Sequence, residues 1–530
     1  MKKLFKVLAA LLACLLVLTA CGGNSEETGT DSDTEYDESK VLTIALNDTM
    51  IKGWDPATTY GDDARIYINV YELLYYRNTD GTYTPWLATD YEVNDDATEW
   101  TFTLREGVKF HDGTDFTAES VKKAIDRTVA LDMGASFLWA PLDHIEVVDD
   151  THVKFVLANA TDLMPIVSCQ YAAYIYSWSE GGDDLQASQD WFNSQHECGT
   201  GPYTISEFSD GSHCILKKFD EYWGGWEGNH IETVVYRQNN ESSIRRQMVE
   251  GNEADIALEL YVNDAEEAKN NPDVKVLKIE GAGNTLAFFN VENGPTKEKL
   301  VRQGLAYSFP YQDVIDYVYS GEYASIPVDM ICQANQNFVT DSIPYTYDLE
   351  KARALFDEAG YTGAFTVTVS YNSSAENTKK QLELWKSELA KIDVELSIEP
   401  NAYELAMSRA TSTDPTERAD IYIQETVCDT YTAYSSYVSS GGTGGGWNFS
   451  GFGRADLDAL YEEANIASVF DAEKGKELFN KAGEILIDEC ACLNLHDNHS
   501  TILTNNKVSN VDLNPGYVYA VRAYNVVKSN

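Results

Sequence analysis

Past its first twenty residues the chain has no apolar run long enough to cross a bilayer as a helix, which takes about 20 residues. Cations are scarce. The 39 Lys and Arg stand against 85 Asp and Glu, for a formal net charge of −46. Such a surface repels nucleic acid and anionic lipid and favours solubility, but it leaves the ligand open. Catalytic signatures are missing as well. There is no Gly-x-Ser-x-Gly elbow, no His-Glu-x-x-His helix and no Ser-x-x-Lys set with its partners. A pair of carboxylates has no sequence signature, so glycosidase chemistry is not excluded by that absence.

The start of the chain indicates its compartment. Lys2, Lys3 and Lys6 precede an uncharged apolar stretch, Val7 to Leu18, that is too short to span a membrane. This is the layout of a secretory signal peptide, expected over residues 1–20. Leu18-Thr19-Ala20-Cys21, followed by two glycines, resembles a bacterial lipobox. That resemblance implies a diacylglycerol on the Cys21 thiol and a palmitate-type membrane anchor. Residues 21–40 hold one aromatic and no aliphatic side chain. They cannot bury enough surface to offset chain entropy and are expected to form a disordered acidic tether. The expected location is the outer face of the cytoplasmic membrane, held by lipid alone.

Seven cysteines follow Cys21: Cys169, Cys198, Cys214, Cys332, Cys428, Cys490 and Cys492. Their number is odd and their spacing fits no zinc pattern. They read mainly as small buried apolar residues, with pairing among Cys169, Cys198 and Cys214 left open.

The chain from residue 41 exceeds one hydrophobic core, so two or three lobes are expected. Val41–Leu46 reads as a buried first strand. Trp100, Phe102 and Leu104 alternate with threonines, as in a half-buried strand. Thr117 can cap a helix whose apolar face carries Val121, Ala124, Ile125, Thr128 and Val129. Asp348 starts a helix that Gly360 stops. Alternating strands at Phe365–Val369 and Val394–Ile398 flank a helix around 380–390, and further helices fit 455–467 and 472–488. The pattern is that of an α/β protein with several sheets and no fixed-period repeat. His496 and His499 suggest a metal pair, but Leu493 and Leu495 alternate as in a strand. A strand turns two such histidines to opposite faces, so no metal is expected.

Leu87-Ala-Thr-Asp-Tyr-Glu-Val93 with Trp100-Thr-Phe-Thr-Leu-Arg-Glu-Gly-Val-Lys-Phe-His-Asp-Gly-Thr-Asp-Phe-Thr-Ala-Glu-Ser-Val121 resembles the signature of the peptide/nickel-type solute-binding proteins. These are the extracellular receptors of ABC importers, typified by the oligopeptide- and dipeptide-binding proteins. Four further blocks agree in order: Gly199-Thr-Gly-Pro-Tyr203 with Tyr222-Trp-Gly-Gly225, Val249–Ile256, Lys299–Tyr307 and Asn448–Asp458. Together they cover about residues 41–525. Two segments depart from the family pattern, Ser308-Phe-Pro-Tyr311 and Asp429-Thr-Tyr-Thr-Ala433, and both bear on the ligand class rather than the fold.

The resemblance implies a periplasmic-binding-protein-like α/β fold of two lobes with an additional inserted domain. Lobe I would combine 41–71, 201–281 and 495–530, the insertion would be 72–200, and lobe II would be 282–494. A small solute would sit between the lobes, and its preference for the closed form would be read by the permease and ATPase. Asp429 aligns with the family aspartate that meets the ligand's α-ammonium group, a charge-assisted contact. Thr426, Val427 and Cys428 before it would offer backbone groups as a strand edge does. Asn377 aligns with another cleft-facing position. Thr59, Tyr60 and Gly61 follow the Asp55-Pro56 turn and would face the cleft from lobe I.

Arg409 is the nearest cation available for a ligand carboxylate. Trp447, beside the Gly441–Gly446 loop, could stack on a ligand or pack in the core. That loop lacks the Lys-Ser/Thr of a phosphate loop. The expected protein is a monomeric receptor without cofactor or enzymatic activity that favours short peptides. A neutral solute such as an oligosaccharide, a secreted lipoprotein hydrolase and a sensor without import are the alternatives.

Overall fold

A computed structural model describes residues 37–47, 50–327, 345–427, 448–517 and 520–529. By its contacts the chain divides into Met1–Glu38 and a body of Ser39–Asn530. The expected signal peptide and nearly all of the tether lie outside the described residues.

The main sheet contains β1 (Val41–Leu46), β2 (Tyr203–Ser209), β3 (His213–Lys218), β4 (Thr233–Gln238), β5 (Ile256–Leu258), β6 (Val274–Phe289), β7 (Ala324–Ser325), β8 (Phe365–Asn372), β9 (Val394–Asn401), β10 (Ile421–Val427) and β11 (Cys492–Asn505). Their spatial order is β9-β8-β10-β6-β11-β5-β1-β4-β3-β2, with β7 beside β11. β1 lies parallel to both β4 and β5. Both of its faces are covered: Leu42, Ile44 and Leu46 enter one hydrophobic core and Ala45 the other. A strand buried on both sides must be apolar throughout, and Val-Leu-Thr-Ile-Ala-Leu nearly is.

Two long antiparallel strands join the halves of this sheet. The first part of β6 pairs with the last part of β11, from Val274↔Asn505 to Ile279↔Ser500. The register then shifts, and Gly283↔Asn498 begins a second run to Phe288↔Cys492. Gly281, at φ +61°, sits in the shift. An extra segment in one strand bends it and adds twist. β5 pairs with β11 only on the first side of this break, and β10 pairs with β6 only on the second.

A separate antiparallel sheet orders Ala88–Val93, Glu99–Leu104, His152–Leu157 and Leu142–Asp149. Trp100, Phe102 and Leu104 are buried, with half-buried residues between them. The helix Ala118–Leu131 packs on this sheet and begins at Thr117, whose N–H is accepted by Ser120 Oγ at 2.9 Å. One expectation fails here. Val129 is 39% exposed, because it lies one position round the helix from Thr128, outside the face that Val121, Ala124, Ile125 and Thr128 bury. The other expected elements fall where the periodicity places them. Asp348 accepts the Lys351 N–H at 2.9 Å, and Gly360 leaves that helix at φ +92°.

The five described cysteines, Cys169, Cys198, Cys214, Cys490 and Cys492, are all buried and form no disulfide. The pairing left open among Cys169, Cys198 and Cys214 is therefore not made. Burial pushes the Cys214 and Cys490 thiols up to about 12, which keeps them protonated and inert.

The glycines of Gly199-Thr-Gly201 are steric requirements. A Cβ on Gly199 would lie 1.9 Å from the Val70 carbonyl oxygen, and one on Gly201 would lie 2.7 Å from the same atom. Gly199→Ala is expected to cost about 2–4 kcal/mol by urea unfolding, since backbone must move to admit the methyl group. Gly363→Ala, where the added Cβ meets nothing within 4 Å, is the control. Equal stability of the two variants would show that the Val70 contact relaxes at no cost.

Candidate functional site

Strand direction defines the site. β1 and β5 run parallel and end at Leu46 and Leu258. β8 and β10 also run parallel, from the other half of the sheet, and end at Asn372 and Val427. Leu258 pairs with Ile502 and Val427 pairs with Gly283, so both sets of carboxyl ends converge on the break in β6 and β11. In open α/β sheets ligands bind outside such ends.

The floor of this cleft is polar. Asn284, Thr285, Asn494, His496 and Asp497 are all buried on the crossing strands. Buried polar groups are tolerated when hydrogen-bonded, and these largely are. Asn494 Nδ2 donates to Asp497 Oδ1 at 2.8 Å. Asn498 Nδ2 donates to Thr285 Oγ1 at 3.2 Å. His496 Nε2 bonds Gln381 Oε1 at 2.8 Å, and its ring lies 4.6 Å from that of Tyr319. Burial drives His496 down to about 3, so it is a neutral imidazole. His499, on the opposite face, bonds the Gly281 N–H at 3.1 Å. The two histidines serve separate surroundings, as their strand placement requires.

One wall is formed by residues after β1 and β5. Arg65 is only 5% exposed. Its Nη1 reaches Asn47 Oδ1 at 2.7 Å and Glu259 Oε2 at 2.8 Å, and its Nη2 reaches Asp62 Oδ1 at 2.8 Å. Burial raises Asp63 to about 6, although the Lys52 and Gly53 N–H groups oppose the shift. Within the same loop Thr59 is buried, Tyr60 is 37% exposed and Gly61 has open space at its Cβ position. The loop is anchored by Asp55, which holds Arg127 through two bonds of 2.5 and 2.9 Å, fully buried.

The opposite wall carries Thr426 and Val427 at the end of β10. Thr426 Oγ1 donates to the Asn284 side chain, tying the strand end to the floor. Glu425 accepts from Thr378 Oγ1 at 2.7 Å. Asn377 is half-buried at the start of the helix Glu376–Ala390, which leaves the carboxyl end of β8.

Arg409 stands further out. Its Nη1 is bound to Glu399 Oε2 of the edge strand β9 at 2.8 Å. Cys428, Asp429, Trp447 and Cys21, the expected site of lipid attachment, lie outside the described residues. Sequence reasoning missed the polar floor and Arg65. The only hint of the floor was a polar run, Asn494 and His496 through Ser500, inside an otherwise apolar strand.

A split sheet joined by two crossing strands, with facing strand ends over a polar floor, defines a two-lobed α/β binding protein with an additional domain. The chain belongs to the bacterial extracellular solute-binding proteins, family 5, whose middle region matches residues 82–448. It is 26% identical over 464 residues to the dipeptide-binding protein of Escherichia coli, covering 79% of this chain and 81% of that protein. It is 26% identical over 364 residues to the glutathione-binding protein GsiB of Salmonella paratyphi A, covering 68% of each.

Among solved structures, the ABC transporter substrate-binding protein CtaP of Listeria monocytogenes superposes with a TM-score of 0.81 at 20% identity, over 92% of this chain and 99% of that one. DppA of Helicobacter pylori, solved with the peptide STSA, superposes with a TM-score of 0.76 at 22% identity, over 92% and 98%. The chain is therefore the solute-binding component of an ABC importer, of the peptide/nickel type, and not an enzyme.

Proposed function

We propose that this protein captures short peptides outside the cell and delivers them to an ABC permease. The observation that carries this reading is a strand edge. β10 pairs with β8 only through Ile421, Tyr422 and Ile423. Among the described residues no strand pairs with that edge along Gln424–Val427. An extended peptide can add its backbone there as a further strand, while neighbouring groups select its ends. The names of the dipeptide- and glutathione-binding relatives support the same class.

The lobes of this reading are 41–71, 201–281 and 495–530 against 282–494, with 72–200 inserted. The register shift between Ile279 and Gly283 supports that division. Asp429 would take the peptide ammonium group, with Thr426, Val427, Cys428, Asn377, Thr59, Tyr60 and Gly61 around the backbone, and with Trp447 near a side chain. Arg409, committed to Glu399, is a weak partner for a ligand carboxylate. That favours a neutral oligosaccharide as the second reading. Native mass spectrometry of protein purified without refolding decides between them: a bound peptide mass supports the first and a bound glycan mass overturns it.

The receptor acts as a monomer tethered through lipid on Cys21. Cys21→Ser is expected to release folded protein into the soluble fraction. Retention of that variant on washed membranes would remove the lipid anchor from the account.

A further inference from the structure

We infer that the region between the lobe I segments adds an apolar side-chain subsite to the lip of the cleft, formed by Tyr60, Phe137 and Tyr171. The inference rests on the peptide-capture reading and names the side-chain class that the cleft prefers. It starts from three chain segments that are far apart in sequence and are fastened together at defined points.

The first segment is the loop after β1 that carries Thr59, Tyr60 and Gly61. The second is the end of the helix Ala118–Leu131. Asp132, at φ +49°, ends that helix and turns the chain into Met133-Gly134 and the short 3-10 turn Ser136–Trp139. The third is Tyr171-Ala172. Gly134, at φ +57°, lies against the loop, and a Cβ there would be 2.5 Å from the Thr58 carbonyl oxygen. The buried Asp55–Arg127 pair joins the same loop to the same helix. Trp139 Nε1 donates to the Ala172 carbonyl oxygen at 2.7 Å, which fixes the third segment to the second.

Around these fastenings Ala135, Leu138 and Trp139 are buried at 0%, 2% and 2% exposure. Phe137, between them, is left 41% exposed and Met133 48% exposed. The Tyr60 ring meets the Phe137 ring edge to face at 6.0 Å and the Tyr171 ring at 4.9 Å. A patch of this kind is preorganised, because its backbone is held by packing that the exposed side chains do not themselves supply. Exposed apolar clusters on an otherwise polar surface mark binding sites. Here the surface belongs to a chain of net charge −46, on which an apolar lip stands out.

Continuity names the occupant. Tyr60 belongs to the cleft loop, so a ligand backbone beside Thr59–Gly61 would send one side chain over Phe137. The edges of Tyr60 and Tyr171 suit an uncharged aromatic or branched aliphatic group. A carboxylate or ammonium group there would lose its water without gaining a partner.

The test uses the mature full chain and isothermal titration with Ala-Ala-Ala and its three single-phenylalanine variants. In the wild type, phenylalanine at one position is expected to improve affinity about tenfold or more, as burial of an aromatic group on aromatic partners provides. Phe137→Ala is expected to remove most of that gain and to change Ala-Ala-Ala affinity by less than about twofold. Phe137→Leu guards against misfolding, and with it a leucine at the same position is expected to keep its advantage. Equal losses for Ala-Ala-Ala and the phenylalanine peptides, or no positional preference in the wild type, would overturn the subsite alone. Failure of all four peptides to bind the wild type would overturn the peptide reading and the subsite with it.

Discussion

Replacing Asp429 by asparagine is expected to abolish tight binding of short peptides while leaving the thermal stability of the unliganded protein nearly unchanged. In a closed cleft a carboxylate facing an ammonium group is shielded from bulk water. Removing one partner leaves the other buried and unpaired, at a cost of about 3–5 kcal/mol. That is a loss of roughly two to three and a half decades in affinity. Asparagine keeps the shape and removes the charge, so the variant isolates the electrostatic contribution. The same argument requires a free amino terminus, and N-acetylated peptides should fail on the wild type. Titration of matched free and acetylated tripeptides checks this. Equal binding of both would remove the ammonium group from the account and make Asp429 a hydrogen-bond acceptor or a bystander.

A second large effect is expected at Glu72, which is fully buried and surrounded by neutral donors. Its carboxylate accepts from Trp86 Nε1 at 2.6 Å, Tyr222 OH at 2.9 Å, Trp223 Nε1 at 2.9 Å and Thr200 Oγ1 at 2.8 Å. One side chain thus holds together the two parts of one sequence block that marked the family, Gly199–Tyr203 and Tyr222–Gly225. Glu72→Ala strands these donors and opens a cavity, and is expected to cost about 4 kcal/mol or more in urea unfolding.

The acid dependence separates charge from packing. Burial raises Glu72 from 4.5 to about 7, against the pull of the four hydrogen bonds. A carboxyl raised in the folded state contributes stability that is full below its unfolded value and is lost as pH rises through the folded value. Between about pH 4.5 and pH 7.5 the wild type should lose roughly 3 kcal/mol relative to Glu72→Gln, which cannot ionise. Arg105 stacks on the Trp223 ring at 4.1 Å, and His111 is bound to Glu197 at 2.6 Å. Burial opposes charge on His111 and Glu197 outweighs that opposition, with Glu72 adding to it, so the comparison is made both with His111 and with His111→Gln in wild type and variant alike. A stability difference that stays constant with pH would refute the raised carboxyl.

The contrast between these two residues shows where sequence reasoning reaches. Asp429 could be singled out because a family pattern places a carboxylate at that point in the chain. Nothing in the sequence singles out Glu72 among 85 acidic residues. Its character comes from four donors drawn from segments up to 151 residues away. Val129 illustrates the same limit on a smaller scale. Helical periodicity assigned it to the buried face, but the packed helix buries Thr128 and leaves Val129, one position further round, exposed.

By itself the sequence determined the elements and the class. Period-two alternation at Trp100–Leu104, the Asp348 cap and the Gly360 stop are local, because a backbone meets its own hydrogen-bonding and steric needs within a few residues. The ordered motif blocks carried the family because each is a short contiguous stretch that can be read without the packed chain. The tertiary structure decided where the strand ends meet, which polar residues form a floor, and that Arg409 is spent on Glu399. It also decided that a turn of the inserted region stands beside Tyr60. Burial and pairing depend on distance in space, and only the packed chain brings Val427 to Gly283, Leu258 to Ile502 and Gly134 against Thr58.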